Sequence, residues 1–124
     1  TGEIKTSDKN LKTNIHNYNS NLEEAYMEFE PVSFKYKNFK DTDTHDRTHY
    51  GFIAQQVEES LKNHGMNAED AGFLCIDNRD TPNGAGEYKE YSLRYSEFVS
   101  LNTYMIQKLY KRIEELERKL SNNN

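Results

Sequence analysis

The sequence predicts an α+β domain: small antiparallel strands and two short helices packed near the start of a long C-terminal helix. Three observations carry that expectation. From Ile106 the apolar residues fall at Ile106, Leu109, Ile113, Leu116 and Leu120, spaced three, four, three, four, which is a coiled-coil seam. Upstream, Leu22, Ala25, Tyr26 and Phe29, then Ile53, Val57 and Leu61, repeat at helical spacing. Between these runs, Val32, Phe34 and Tyr36 alternate with Ser33, Lys35 and Lys37, as a half-buried strand does.

In chain order, Thr1 to Thr6 is short and polar, and Ser7 to Ile15 carries apolar side chains only at Leu11 and Ile15, which suits an extended or looped entry. Asn17 to Asn21 is a turn cluster able to cap the first helix, and Pro31 ends it. After the alternating strand, Asp41 to Thr48 is charged and loop-like. Tyr50 to Ile53 restores order and leads into the second helix, closed by His64 and by Gly65 as a left-handed cap. Phe73 to Ile76 reads as a short buried strand, with Cys75 a buried thiol inside it. Asn78 to Gly86, rich in Asp, Pro, Asn and Gly, is a hairpin tip or a long loop, and Glu87 to Leu93 pairs back. Ser96 is placed to cap the C-terminal helix, and Ser121 to Asn124 frays. No repeat or internal boundary is visible, and the start at Thr1-Gly2 reads as part of a longer protein.

A chain of 124 residues holds one modest domain. Only 34% is hydrophobic, and the mean hydropathy is -1.07. Tyr (9) and Phe (6) supply much of the apolar material, so a monomeric core is thin and association is a natural source of further burial. The net charge of -5 argues against general affinity for nucleic-acid phosphates or anionic membranes. No run is apolar enough to cross a bilayer, and no signal peptide is visible.

In the C-terminal helix, Ile106, Ile113 and Leu120 take the a positions and Leu109 and Leu116 the d positions. Arg112 at g precedes Glu117 at e by five residues, so parallel copies can pair them, whereas antiparallel copies would bring Arg112 and Lys119 together. Lys108, Lys111, Glu114, Glu115 and Arg118 keep the rest of the helix polar, which favours self-assembly over docking on the chain's own core. The seam also suits an adaptor for another coiled coil, and it does not by itself fix the number of strands.

No metal or cofactor is expected. The four histidines lack CxxC or HExxH companions. Asp41, Asp43 and Asp46 lack the spacing and closing Glu of a calcium loop. Gly84-Ala85-Gly86 is too short to cradle a phosphate. A serine hydroxyl becomes a nucleophile when a base removes its proton, and a lysine whose charge is disfavoured can be that base. On spacing alone, Ser7 five residues before Lys12 carries no information.

Four ordered blocks change this: Ser7-Asp8-Lys9-Asn10-Leu11-Lys12-Thr13-Asn14-Ile15, Glu30-Pro31-Val32-Ser33-Phe34-Lys35-Tyr36, Tyr50-Gly51-Phe52-Ile53-Ala54-Gln55-Gln56-Val57-Glu58, and Tyr91-Ser92-Leu93-Arg94-Tyr95. Together they resemble the self-cleaving intramolecular chaperone domains at the C-termini of bacteriophage tailspikes, tail fibres and neck appendages, and the related domain of the myelin regulatory factor. The resemblance spans Ser7 to Leu120. It implies a homotrimer whose residues 96–120 form a parallel trimeric coiled coil. That trimer would assist folding of an upstream fibre or spike in the host cytoplasm during virus assembly, leaving the upstream protein in the virion. Residues 1–6 would be a remnant of that upstream protein, and 7–124 the auto-processing domain. The implied cut is the Thr6–Ser7 bond, with Ser7 and Lys12 as a single-turnover dyad. His49, Gln55 and Gln56 are candidates to orient Lys12 or to donate to the oxyanion, and Asp8 is a candidate to cap or to pair with Lys12. Their competing readings are a turn carboxylate for Asp8, a loop residue for His49 and helix surface for the two glutamines. The alternative to cleavage is a purely structural trimerisation cap.

Overall fold

The computed structural model describes residues 6–37 and 47–123. The Asp41, Asp43 and Asp46 cluster and residues 1–5 lie outside them. The described chain is α+β: two two-stranded antiparallel sheets and three α-helices.

Helix α1 (Ser20–Glu28) starts where Asn19 Oδ1 accepts the Leu22 N–H at 2.9 Å, an N-cap drawn from the expected turn cluster. Leu22, Ala25 and Phe29 turn inward. Strand β1 (Val32–Phe34) pairs with β2 (His49–Gly51), Val32 opposite Gly51 and Phe34 opposite His49. The expected strand ran on to Tyr36, but the ladder stops at Phe34 and Tyr36 folds its ring edge-on to Phe34 at 5.2 Å.

Helix α2 (Ala54–Asn63) buries Ala54, Val57, Ser60 and Leu61. Ile53, expected on that face, is instead the N-cap and is exposed, because Ala54 supplies the first inward position. The helix closes as expected. Gly65 adopts φ 74°, its N–H donates to Lys62 O at 3.1 Å, and the Met66 N–H donates to Leu61 O at 3.0 Å. This pair of bonds satisfies carbonyls the helix end would leave open.

Strand β3 (Leu74–Asp80) and β4 (Glu87–Leu93) form a hairpin with Leu74 opposite Leu93 and Asp80 opposite Glu87. The pairing reaches four residues beyond the expected end at Ile76, so the tip narrows to Thr81–Gly86, where Thr81 N–H donates to Gly86 O at 2.8 Å. Strand alternation buries Leu74 and leaves Cys75 half-exposed, correcting its expected burial.

Helix α3 (Ser96–Asn122) is 27 residues long. Tyr95, not Ser96, is its N-cap, and no side chain closes the first turn. Its C-terminus extends to Asn122, into the tail expected to fray. Only its first turns enter the core, through Phe98, Leu101 and Met105. Phe98 organises an aromatic cluster, stacked on Phe52 at 5.2 Å and tilted against Phe73 at 4.7 Å, with Phe29 edge-on at 5.7 Å. Beyond Met105 no side chain of the helix is buried, and Ile106, Leu109, Ile113, Leu116 and Leu120 are all exposed. No helix among the described residues is long and apolar enough to cross a membrane.

Candidate functional site

The segment Thr6–Tyr18 precedes the first helix and is almost wholly exposed. Within it, a 3-10 turn spans Lys9–Leu11. Asp8 is its cap: Oδ1 accepts the Asn10 N–H at 2.9 Å, and the backbone closes through Leu11 N–H to Asp8 O at 3.0 Å and Lys12 N–H to Lys9 O at 3.1 Å. One tight turn therefore returns the chain, and Lys12 Nζ donates to Ser7 Oγ at 2.7 Å. That contact brings together the two residues the sequence could pair only by resemblance. Both are exposed, with Thr6 immediately before them. Asn14, at φ 52°, then bends the chain toward α1, a left-handed conformation Asn tolerates.

The remaining candidates are distributed elsewhere. His49 stacks on Phe34 at 5.8 Å and meets Tyr36 edge-on at 4.9 Å. Gln56 ties two elements together. Its Nε2 donates to Glu28 O at 2.6 Å and to Ser60 Oγ at 3.0 Å, while Oε1 accepts the Glu30 N–H at 3.2 Å. Those bonds satisfy backbone groups left open where α1 ends, so in this chain Gln56 fastens α1 to α2. Gln55 lines an open cleft of about 430 Å³ together with Phe34, Tyr36, Phe52, Tyr91 and Tyr95.

Sequence reasoning missed a role for Tyr95. Its hydroxyl accepts the Phe52 N–H at 3.2 Å, and a Cβ at Gly51 would stand 2.4 Å from that oxygen. The signal was the Gly51 side-chain void inside a block otherwise rich in aromatics. Arg94 was also missed: Nη1 donates to Gly72 O at 3.2 Å and Leu74 O at 3.1 Å, holding the start of β3 against the entry to α3.

Charge locks α1 in place on both sides. Toward α3, Glu23 pairs with Lys108 and accepts the Tyr104 hydroxyl at 2.8 Å, and these two bonds hold its carboxyl below the ordinary range. Toward α2, His64 bridges Glu28 through Nε2 and Glu24 through Nδ1, the latter at 3.2 Å. The hydrogen bond to Glu28 pushes the imidazole up, and the same bond pulls Glu28 down.

Residues 7–66 match the family model described as chaperone of endosialidase, and the match begins at Ser7. A tail spike protein of Escherichia virus K5 is 31% identical over 126 residues, covering 89% of this chain and 19% of the relative, so the chain spans about a fifth of that protein's length. Among solved structures, a crystal structure described as a novel intramolecular chaperon superposes with a TM-score of 0.68 at 23% identity, covering 82% of this chain and 97% of that one. The carboxy-terminal domain of the bacteriophage T5 L-shaped tail fibre, solved with its intra-molecular chaperone domain, superposes with a TM-score of 0.62 at 22% identity, covering 98% of this chain and 33% of that one. The ordered blocks, the model matched over residues 7–66 and the tail-spike relative agree in likening the chain to the chaperone-of-endosialidase family, and the solved structures share its fold.

Proposed function

We propose that this domain is a trimeric intramolecular chaperone that helps an upstream phage fibre or spike to fold and trimerise, and that then releases itself by cutting the Thr6–Ser7 bond. The observation that carries the reading is the 2.7 Å contact between Lys12 Nζ and Ser7 Oγ, at the residue where the family match begins. In the reaction, Lys12 as a neutral amine accepts the Ser7 hydroxyl proton. Ser7 Oγ attacks the carbonyl carbon of Thr6, a step whose developing oxyanion requires N–H donors, and the C–N bond breaks as the Ser7 amine takes up the proton held by Lys12. The Thr6 acyl group is then an ester on Ser7 Oγ, and water hydrolyses it to separate the two chains. The upstream protein would reside in the virion, and the domain would act in the host cytoplasm.

The test is the mass of a precursor carrying a longer upstream segment. Self-cleavage gives two fragments, the C-terminal one beginning at Ser7, while Ser7→Ala and Lys12→Ala each give one intact chain. If both variants still split, the dyad is wrong. A second reading is a non-catalytic trimerisation cap, favoured by the solvent exposure of both Ser7 and Lys12 in the single chain. An intact wild-type precursor that nevertheless forms trimers would establish it.

A further inference from the structure

Counting the heptads backwards from Ile106 places Val99 at an a position, and Asn102 and Tyr95 at d positions. The chain's own core uses a neighbouring stripe of the same helix, Phe98, Leu101 and Met105. The two stripes part sharply in exposure. Phe98 and Leu101 are 3% and 0% exposed, whereas Val99 is 63% and Tyr95 48% exposed. A β-branched side chain on a solvated helix face gains nothing from its own fold.

We infer that the self-association surface runs from Tyr95 through Val99 and Asn102 into the rod, and that Asn102 is the polar layer setting its register, held in place by Tyr26. The inference rests on the self-assembling rod proposed above. Its occupant is a second copy in parallel alignment, since only parallel copies bring Arg112 at g beside Glu117 at e. A polar side chain in an apolar seam weakens the assembly in return for specificity, because its hydrogen bonds are met only when identical layers coincide. Here the side chain is already committed from within: the Tyr26 hydroxyl donates to Asn102 Oδ1 at 3.1 Å. That bond uses one lone pair of the amide oxygen and fixes the side chain's orientation, so in a coincident layer each Asn102 donates its amide N–H to a neighbouring copy's Asn102 and accepts one on the oxygen's second lone pair. Because Tyr26 belongs to α1, a body that has not docked α1 presents the seam with an unset Asn102. Register selection is thereby tied to completion of the fold.

Disulfide trapping in the whole chain, in a Cys75→Ser background with oxidised glutathione, tests the extent of the surface. Val99→Cys and Ile113→Cys should each give a covalently linked pair of chains on a non-reducing gel, and Lys111→Cys on the polar face should not. If Ile113→Cys links and Val99→Cys does not, the rod assembles but the surface stops short of the body, and this inference falls while the trimer stands. If neither links, both fall. The role of Asn102 is read by sedimentation: Asn102→Leu should resist denaturant at least as well as wild type yet lose its single stoichiometry. Tyr26→Phe should shift in the same direction, less far. An Asn102→Leu variant that remains one species of wild-type mass overturns that role.

Discussion

At Gly65 a positive φ of 74° is required and nothing stands within 4 Å of where a Cβ would be, so Gly65→Ala isolates backbone strain from packing. The expected cost is about 1–2 kcal/mol, read as a lower urea midpoint with unchanged slope. His64 makes a different prediction. Its folded-state value is raised, so its contribution is complete below the ordinary imidazole range and is lost as pH rises through the raised value. Glu28 is lowered, so its share is present above the ordinary carboxyl range and is lost as pH falls through the lowered value. The clasp is therefore strongest in mildly acidic solution. The thermal midpoint should fall between about pH 6 and pH 8, within reach of imidazole titration, and His64→Gln should flatten that fall. An unchanged slope in the variant would remove the clasp as its cause. The sequence marked His64 and Gly65 as a helix end, because capping is local. It did not mark the clasp, since Glu24 and Glu28 stand on another helix and only packing brings them near. Gln56 was singled out for chemistry for the same reason: its bonds to Glu28 and Glu30 cross between elements.

Among elements, α3 carries two opposite sensitivities along one axis. Leu61 on α2 and Leu101 on α3 are fully buried, and Leu61→Ala or Leu101→Ala should cost about 2–5 kcal/mol, enough to unfold a domain of this size. Leu109, 60% exposed in the single chain, should behave otherwise: Leu109→Ala leaves the body folded by circular dichroism and weakens association in sedimentation. Equal damage at Leu101 and Leu109 would mean that the rod has no role separate from the core. Helices were legible because apolar spacing and caps recur over short stretches. Strand ends were not: β3 continues through Asp77, Asn78 and Asp80, polar residues whose pairing is decided by the opposite strand. Cys75 was misplaced by the same limit, as an apolar run does not reveal which face of a two-stranded ribbon is covered.

At the scale of the molecule, the α+β class and the long terminal helix were readable because the heptads and the four blocks are ordered along the whole chain. The Ser7–Lys12 contact was not readable from spacing; it depends on the turn that Asp8 caps, and only the family resemblance singled the pair out. The body is small, and its aromatic centre is built on the first turns of a helix whose remaining turns carry an apolar stripe outside it. If that stripe is covered by other copies, the interior and the assembly share a single rigid strut. Dilution alone should then loosen the body. The melting temperature is expected to rise with protein concentration, by mass action. A concentration-independent midpoint would mean that the strut is divided at Met105 into two independent parts, and that losing the companions leaves the aromatic centre undisturbed.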